Sequence, residues 1–133
     1  MIPRSVVLNL MHGIAFGALC ASTATLAQEE DLAKAKKLTE RDCKQCHTFG
    51  KGEQHGQGPN LFGLIGLPAA AAPGFVYTDG IKEALLGKTW DRELLDRWLT
   101  DTIAVAPKAQ MVYFQDDPKV RARLIRYLES LKE

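Results

Sequence analysis

The segment Cys43-Lys44-Gln45-Cys46-His47 constrains this chain more than any other. Two thiols three residues apart lie on one side of a helical turn. So placed, they can add to the two vinyl groups on adjacent edges of a porphyrin. The next residue, His47, is then held beneath the iron, where its imidazole binds as proximal ligand. Other uses of the pair need features that this sequence does not offer. A thioredoxin-like dithiol belongs in a βαβ context, and no strand pattern is present. A zinc site needs two further ligands at local spacing; only His55 is near, and there is no second cysteine pair. The expectation is a single haem c, covalently attached through Cys43 and Cys46, with His47 on the metal.

Residues 1–27 read as a cleaved secretory signal. Arg4 is their only basic residue, Val6 to Leu19 is mostly apolar, and Thr25-Leu26-Ala27 offers small residues for cleavage. About 14 apolar-leaning residues fall short of the roughly 20 that span a bilayer, which favours cleavage over a permanent anchor. Leu19 before Cys20 argues against lipoprotein processing, which needs a small residue there. Residues 28–133 then form one domain and keep Cys43, Cys46, His47, His55 and a single methionine, Met111. Across the chain, 17 basic and 16 acidic side chains leave a net charge of +1, so no basic excess recruits nucleic acid. With 46% hydrophobic residues the chain is too apolar to be disordered. A domain of this size buries a limited core by itself, and an internal prosthetic group would supplement it.

The apolar spacing predicts only helices. Leu32, Ala35 and Leu38 give an amphipathic helix from Glu29 to Arg41. Residues 49–72, rich in glycine, read as loop, with one short helical turn at 61–65. The four alanines between Pro68 and Pro73 read as an insertion or linker. A short helix follows from Asp79 to Leu86, ended by Gly87. Another runs from Trp90 to Leu99 with Thr89 as its cap. Residues 102–115 are irregular. Asp117-Pro118 then caps and opens a final helix whose apolar face is Val120, Leu124, Tyr127, Leu128 and Leu131.

With these motifs in place, residues 29–133 resemble the class I cytochromes c. The resemblance implies an all-α fold in which three to five helices wrap one haem and the N- and C-terminal helices cross. Gly58-Pro59-Asn60-Leu61 stands where that family has its post-haem loop, so the Pro59 carbonyl would accept the His47 ring N–H. Gly74-Phe75-Val76-Tyr77-Thr78 resembles the family's aromatic stretch near a haem propionate, and Trp90 its propionate-facing tryptophan. Met111 follows His47 by 64 residues and Trp90 by 21, close to the family's spacing for the second axial ligand. Leu124-Ile125-Arg126-Tyr127-Leu128 resembles the terminal helix. His55, eight residues past His47, is too close to reach the other haem face and reads as a solvated loop histidine. Four positions depart from the pattern. Lys108-Ala109-Gln110 lacks a usual threonine, and Trp98 stands where a tyrosine often bonds the methionine sulfur. Ala35 replaces a glycine at the helix crossing, and Thr39 an aromatic residue.

What the resemblance implies is a soluble periplasmic one-electron carrier, monomeric and no enzyme, shuttling between respiratory or dehydrogenase partners. No stable membrane insertion is expected after cleavage. Docking would be transient, at the haem edge, near Lys44, Lys51, Lys108 and the segment 104–106. Two other readings remain open. Without Met111 on the iron, a five-coordinate haem could bind gas ligands or react with peroxide. The same ligands would also serve a haem subunit dedicated to one oxidoreductase.

Overall fold

A computed structural model describes residues 18–132, with side chains from residue 25 onward. Most of the expected signal, residues 1–27, lies outside the described residues. The chain divides into two compact units, residues 1–31 and 32–133. Of the first, only the opening part of a helix is described.

Five helices are present among the described residues: α1 (Ala18–Cys43), α2 (Asp79–Leu85), α3 (Arg92–Thr100), α4 (Thr102–Val105) and α5 (Pro118–Ser130). No strand occurs among the described residues; two isolated antiparallel bridges, Pro68 to Thr89 and Asp101 to Phe114, pin loops instead. The all-α expectation holds.

α1 begins well before Glu29, because residues 18–28 contain alanines and neither glycine nor proline to stop a helix. It ends at Cys43, so the first cysteine is also the helix's last residue. Ala35 and Thr39 on α1 are fully buried. The Thr39 hydroxyl is satisfied by donating to the Ala35 carbonyl at 2.9 Å. Near the end of α1, Glu40 lies close enough to Tyr127 of α5 to help raise its phenol pKa, although burial is the larger cause.

α3 starts two residues later than the sequence suggests. The cap is Asp91, whose carboxylate accepts from the Leu94 amide at 2.7 Å. Thr89 is occupied in the bridge to Pro68. One face of α3 buries Leu94, Leu95, Trp98 and Leu99, and it packs on α5, where Leu124, Ile125 and Leu128 are buried. Arg121 is buried too, because its guanidinium pairs with Asp96 at 2.8 Å and donates to the Gln115 and Asp116 carbonyls, both at 3.0 Å. α5 starts as expected, with Asp117 accepting from the Lys119 amide at 2.8 Å and Pro118 in the first turn.

The segment 68–73 is not a free linker but is bonded into the fold. Ala69 is buried and donates to the Lys88 carbonyl at 2.9 Å, while Trp90 donates to the Leu67 carbonyl at 2.9 Å. Ala70 adopts φ +57°, the one positive value at a non-glycine among the described residues. The turn needs only small residues, and alanine tolerates the conformation at modest cost. Residues 61–65 form hydrogen-bonded turns and no helix.

The cap assignment is directly testable. Asp91→Ala should cost about 0.5–2 kcal/mol in denaturant unfolding. Thr89→Ala, which removes no capping bond, should cost clearly less.

Candidate functional site

The last turn of α1 continues past Cys43 as a tight turn. The Cys46 and His47 amides both donate to the Cys43 carbonyl, at 3.1 and 2.9 Å. Cys43, Cys46 and His47 thereby come onto the wall of a single cavity. Residues 56–61 are laced against this turn: the Gly58 amide donates to the Cys46 carbonyl at 2.8 Å, and the Leu61 amide to the Thr48 carbonyl at 2.9 Å. His47 Nδ1 lies 2.7 Å from the Pro59 carbonyl oxygen. A carbonyl can only accept, so Nδ1 carries the proton and Nε2 keeps the lone pair. Burial lowers the His47 pKa, outweighing the Pro59 bond that raises it. The imidazole is thus held neutral, with one nitrogen available as a donor to a metal.

Two glycines make this closure possible by their lack of a side chain. A Cβ on Gly58 would fall 2.3 Å from His47 Cε1, and one on Gly56 would fall 2.5 Å from the Cys46 carbonyl oxygen.

Cys43 is pushed up to about 12, chiefly by burial and then by the neighbouring Asp42 and Cys46. It stays a thiol at neutral pH. That is unlike the activated thiolate of a dithiol oxidoreductase. Zinc finds no support either: among the described residues no group of three or more His, Cys, Asp or Glu could hold a metal.

The cavity measures about 670 Å³, inside the roughly 300–1,000 Å³ range of cofactor sites. Pro59, Tyr77, Trp90, Trp98 and Met111 all line it, together with core leucines such as Leu85, Leu95 and Leu128. Every residue expected at the site from sequence therefore shares one wall system. Trp90 and Trp98 meet edge to face with centroids 5.7 Å apart. Tyr77 packs edge to face on Phe75 at 4.8 Å, its phenol raised mainly by burial.

Other expectations need correction. His55 is no free loop histidine. Its Nδ1 accepts from the Asn60 amide and its Nε2 donates to the Pro73 carbonyl, both at 2.9 Å. With both nitrogens engaged, and no place on the cavity wall, it clips the post-cysteine loop to the alanine-rich segment. Of the expected docking segment 104–106, Ala104 is exposed, Val105 half-buried and Ala106 fully buried. Lys44, Lys51 and Lys108 are exposed but line no part of the cavity; the charged residue that does is Asp42, which sequence reasoning passed over. Thr78, the last residue of the aromatic stretch, holds the one buried side-chain polar atom without a partner among the described residues.

No protein-family model matches the chain. Individual relatives do. It is 39% identical to a cytochrome c of Chlamydomonas reinhardtii over 110 residues, covering 82% of this chain and 96% of that protein. It is 36% identical to a cytochrome c2 of Rhodomicrobium vannielii over 91 residues, 68% and 71% of the two chains. It is 34% identical to a cytochrome c-550 of Novispirillum itersonii over 111 residues, 77% and 99% of the two. The chain belongs to the class I c-type cytochromes.

This cytochrome is accordingly an electron-transfer protein and not an enzyme. It carries one c-type haem, covalently held through Cys43 and Cys46. The residues present fit that group. Protein interiors hold few voids larger than water, yet here core side chains surround a space of about 670 Å³. Next to the cavity-lining Tyr77, the buried Thr78 hydroxyl has no partner among the described protein groups. Among the described residues, no helix is long and apolar enough to cross a membrane.

The close approach at Gly58 gives a test. Gly58→Ala overpacks the His47 ring and should lower unfolding stability by about 1–3 kcal/mol, measured by denaturant titration of the haem-loaded protein.

Proposed function

We propose that this cytochrome is a soluble, periplasmic, monomeric carrier whose haem iron is held between His47 and Met111. The observation that supports the reading most is the shared cavity: both cysteines, a neutral His47 and the one methionine of residues 28–133 line it together. The bound group supplies reversible one-electron exchange between ferrous and ferric iron. The chain's residues tune that exchange. The Met111 thioether is a soft donor and favours the ferrous state. The apolar lining disfavours the extra charge of the ferric state, so both raise the reduction potential. The Pro59 carbonyl orients His47 and makes it more basic. Tyr77 and Trp90 would meet the haem's polar margin, and Trp98 lines the same cavity. The partners are other redox proteins of respiratory or dehydrogenase systems, met in brief encounters at the cavity mouth.

Visible spectra of the purified protein test the ligand set. The parent should be low-spin, show the weak long-wavelength sulfur-to-iron band when oxidised, and ignore carbon monoxide when reduced. Met111→Ala should lose that band, become high-spin, bind carbon monoxide and have a lower potential. A parent that is itself high-spin and binds carbon monoxide readily would remove Met111 from the iron.

Export belongs to the same proposal. Residues 1–27 have the layout of a signal removed after Ala27. The N-terminus of the protein recovered from a periplasmic fraction should be Gln28; an intact N-terminus in a membrane fraction would mean a retained anchor instead.

A further inference from the structure

Asp42 and Tyr113 stand 71 residues apart in sequence, yet the Tyr113 hydroxyl donates to Asp42 Oδ2 at 3.1 Å. Both residues line the cavity. Asp42 immediately precedes Cys43 at the end of α1. Tyr113 lies two residues beyond Met111, in a stretch that belongs to no helix. The Asp42 carboxylate is only 13% exposed, and its other oxygen pairs with Arg41 Nε at 2.6 Å. With Arg41 on one oxygen, the carboxylate offers Tyr113 the other as an oriented acceptor.

The backbone around Tyr113 is tied to α3, α4 and α5, where Arg121 holds the Gln115 carbonyl at 3.0 Å, but among the described residues by no backbone bond to α1. Its amide donates to the Thr102 hydroxyl at 2.9 Å, and its carbonyl accepts from the Thr102 amide at 3.1 Å. The Gln115 amide donates to the Thr100 carbonyl at 3.2 Å. None of these bonds reaches α1. Val112 and Phe114, on either side of Tyr113, are 79% and 65% exposed and contribute little burial. The phenol is the hydrogen bond that carries this segment across to the cysteine-bearing end of α1.

We propose that the Tyr113–Asp42 hydrogen bond is a strap that holds the Met111 segment closed over the cavity, making Tyr113 and Asp42 positioning residues for the Met111 thioether. The inference rests on Met111 being the second axial ligand. Closure and ligation are nonetheless separate observables. The strap limits how often the segment swings away, and therefore how readily an outside ligand reaches the iron. Breaking it leaves the fold and the donor set in place.

The experiment uses the haem-loaded protein, with imidazole as the outside ligand. Tyr113→Phe keeps the ring and removes the hydroxyl. It should raise imidazole affinity for the oxidised protein by about ten-fold, the size of effect expected for losing one hydrogen bond to a charged group. It should also weaken the sulfur-to-iron band and speed hydrogen exchange at the Tyr113 amide. Asp42→Ala should do the same, and the double variant should do no more than either alone. Asp42→Asn, which retains an acceptor, should restore most of the parent's behaviour and covers the case in which Asp42→Ala does not fold. Unchanged imidazole binding and unchanged exchange in Tyr113→Phe would overturn the strap, as would fully additive effects of the two single variants. If Met111 is not the ligand, the parent itself binds imidazole without hindrance and shows no sulfur band. Exchange at the Tyr113 amide then still reports on the strap alone.

Discussion

The closure of residues 56–61 against the Cys43–His47 turn is the contact on which the rest of the site depends. His47 can act only if its ring has one orientation and one tautomer, and the Pro59 carbonyl at 2.7 Å sets both. That carbonyl arrives there because Gly58 passes the ring with no side chain of its own. The same loop is anchored further out by His55, which spends both nitrogens on the Asn60 amide and the Pro73 carbonyl. Through His55 the alanine-rich segment is coupled to the histidine beneath the haem. Small residues at 69–72 let the backbone turn tightly there.

The interior is arranged around a cofactor. α3 and α5 supply leucines that are at once the protein's core and the cavity's lining. A short chain has little apolar surface to bury against itself, so a large flat apolar group completes its packing. Polar atoms are few and concentrated. Thr78 carries a buried hydroxyl with no partner among the described residues, and burial is the main cause that lowers the pKa of His47. A dry, low-dielectric lining of this kind is what an electron carrier needs to hold its two charge states at a fixed difference in energy.

The helices and the Cys43–His47 turn could be read from the chain because their signals are local, whereas Pro59, Tyr77, Trp90, Trp98 and Met111 came from the family resemblance alone. The final helix announced itself through Asp117-Pro118 and its apolar spacing, and Cys43, Cys46 and His47 through contiguity. Where the expectations failed, a distant partner decided the outcome. Thr89 looked like a cap for α3, but pairing with Pro68 occupied it and the role passed to Asp91. His55 looked solvated because its two partners lie five and 18 residues further along the chain. Ala106 looked like part of a surface patch, yet it packs into the core. Asp42 carries no periodic or motif signal at all; its role appears only when Tyr113 reaches it across 71 residues.

Sequence alone determined the chemistry of this protein. Covalent attachment needs two thiols and a histidine at fixed short spacing, and that requirement is met within one turn of chain. Helical periodicity is equally local, so the fold class followed from it. Tertiary structure decided how the chemistry is held: which carbonyl orients His47, which glycine must be bare to admit it, which histidine serves as a clip, and which carboxylate stands beside Met111's segment. These are matters of distance between residues far apart in the chain, and no local pattern encodes a distance of that kind.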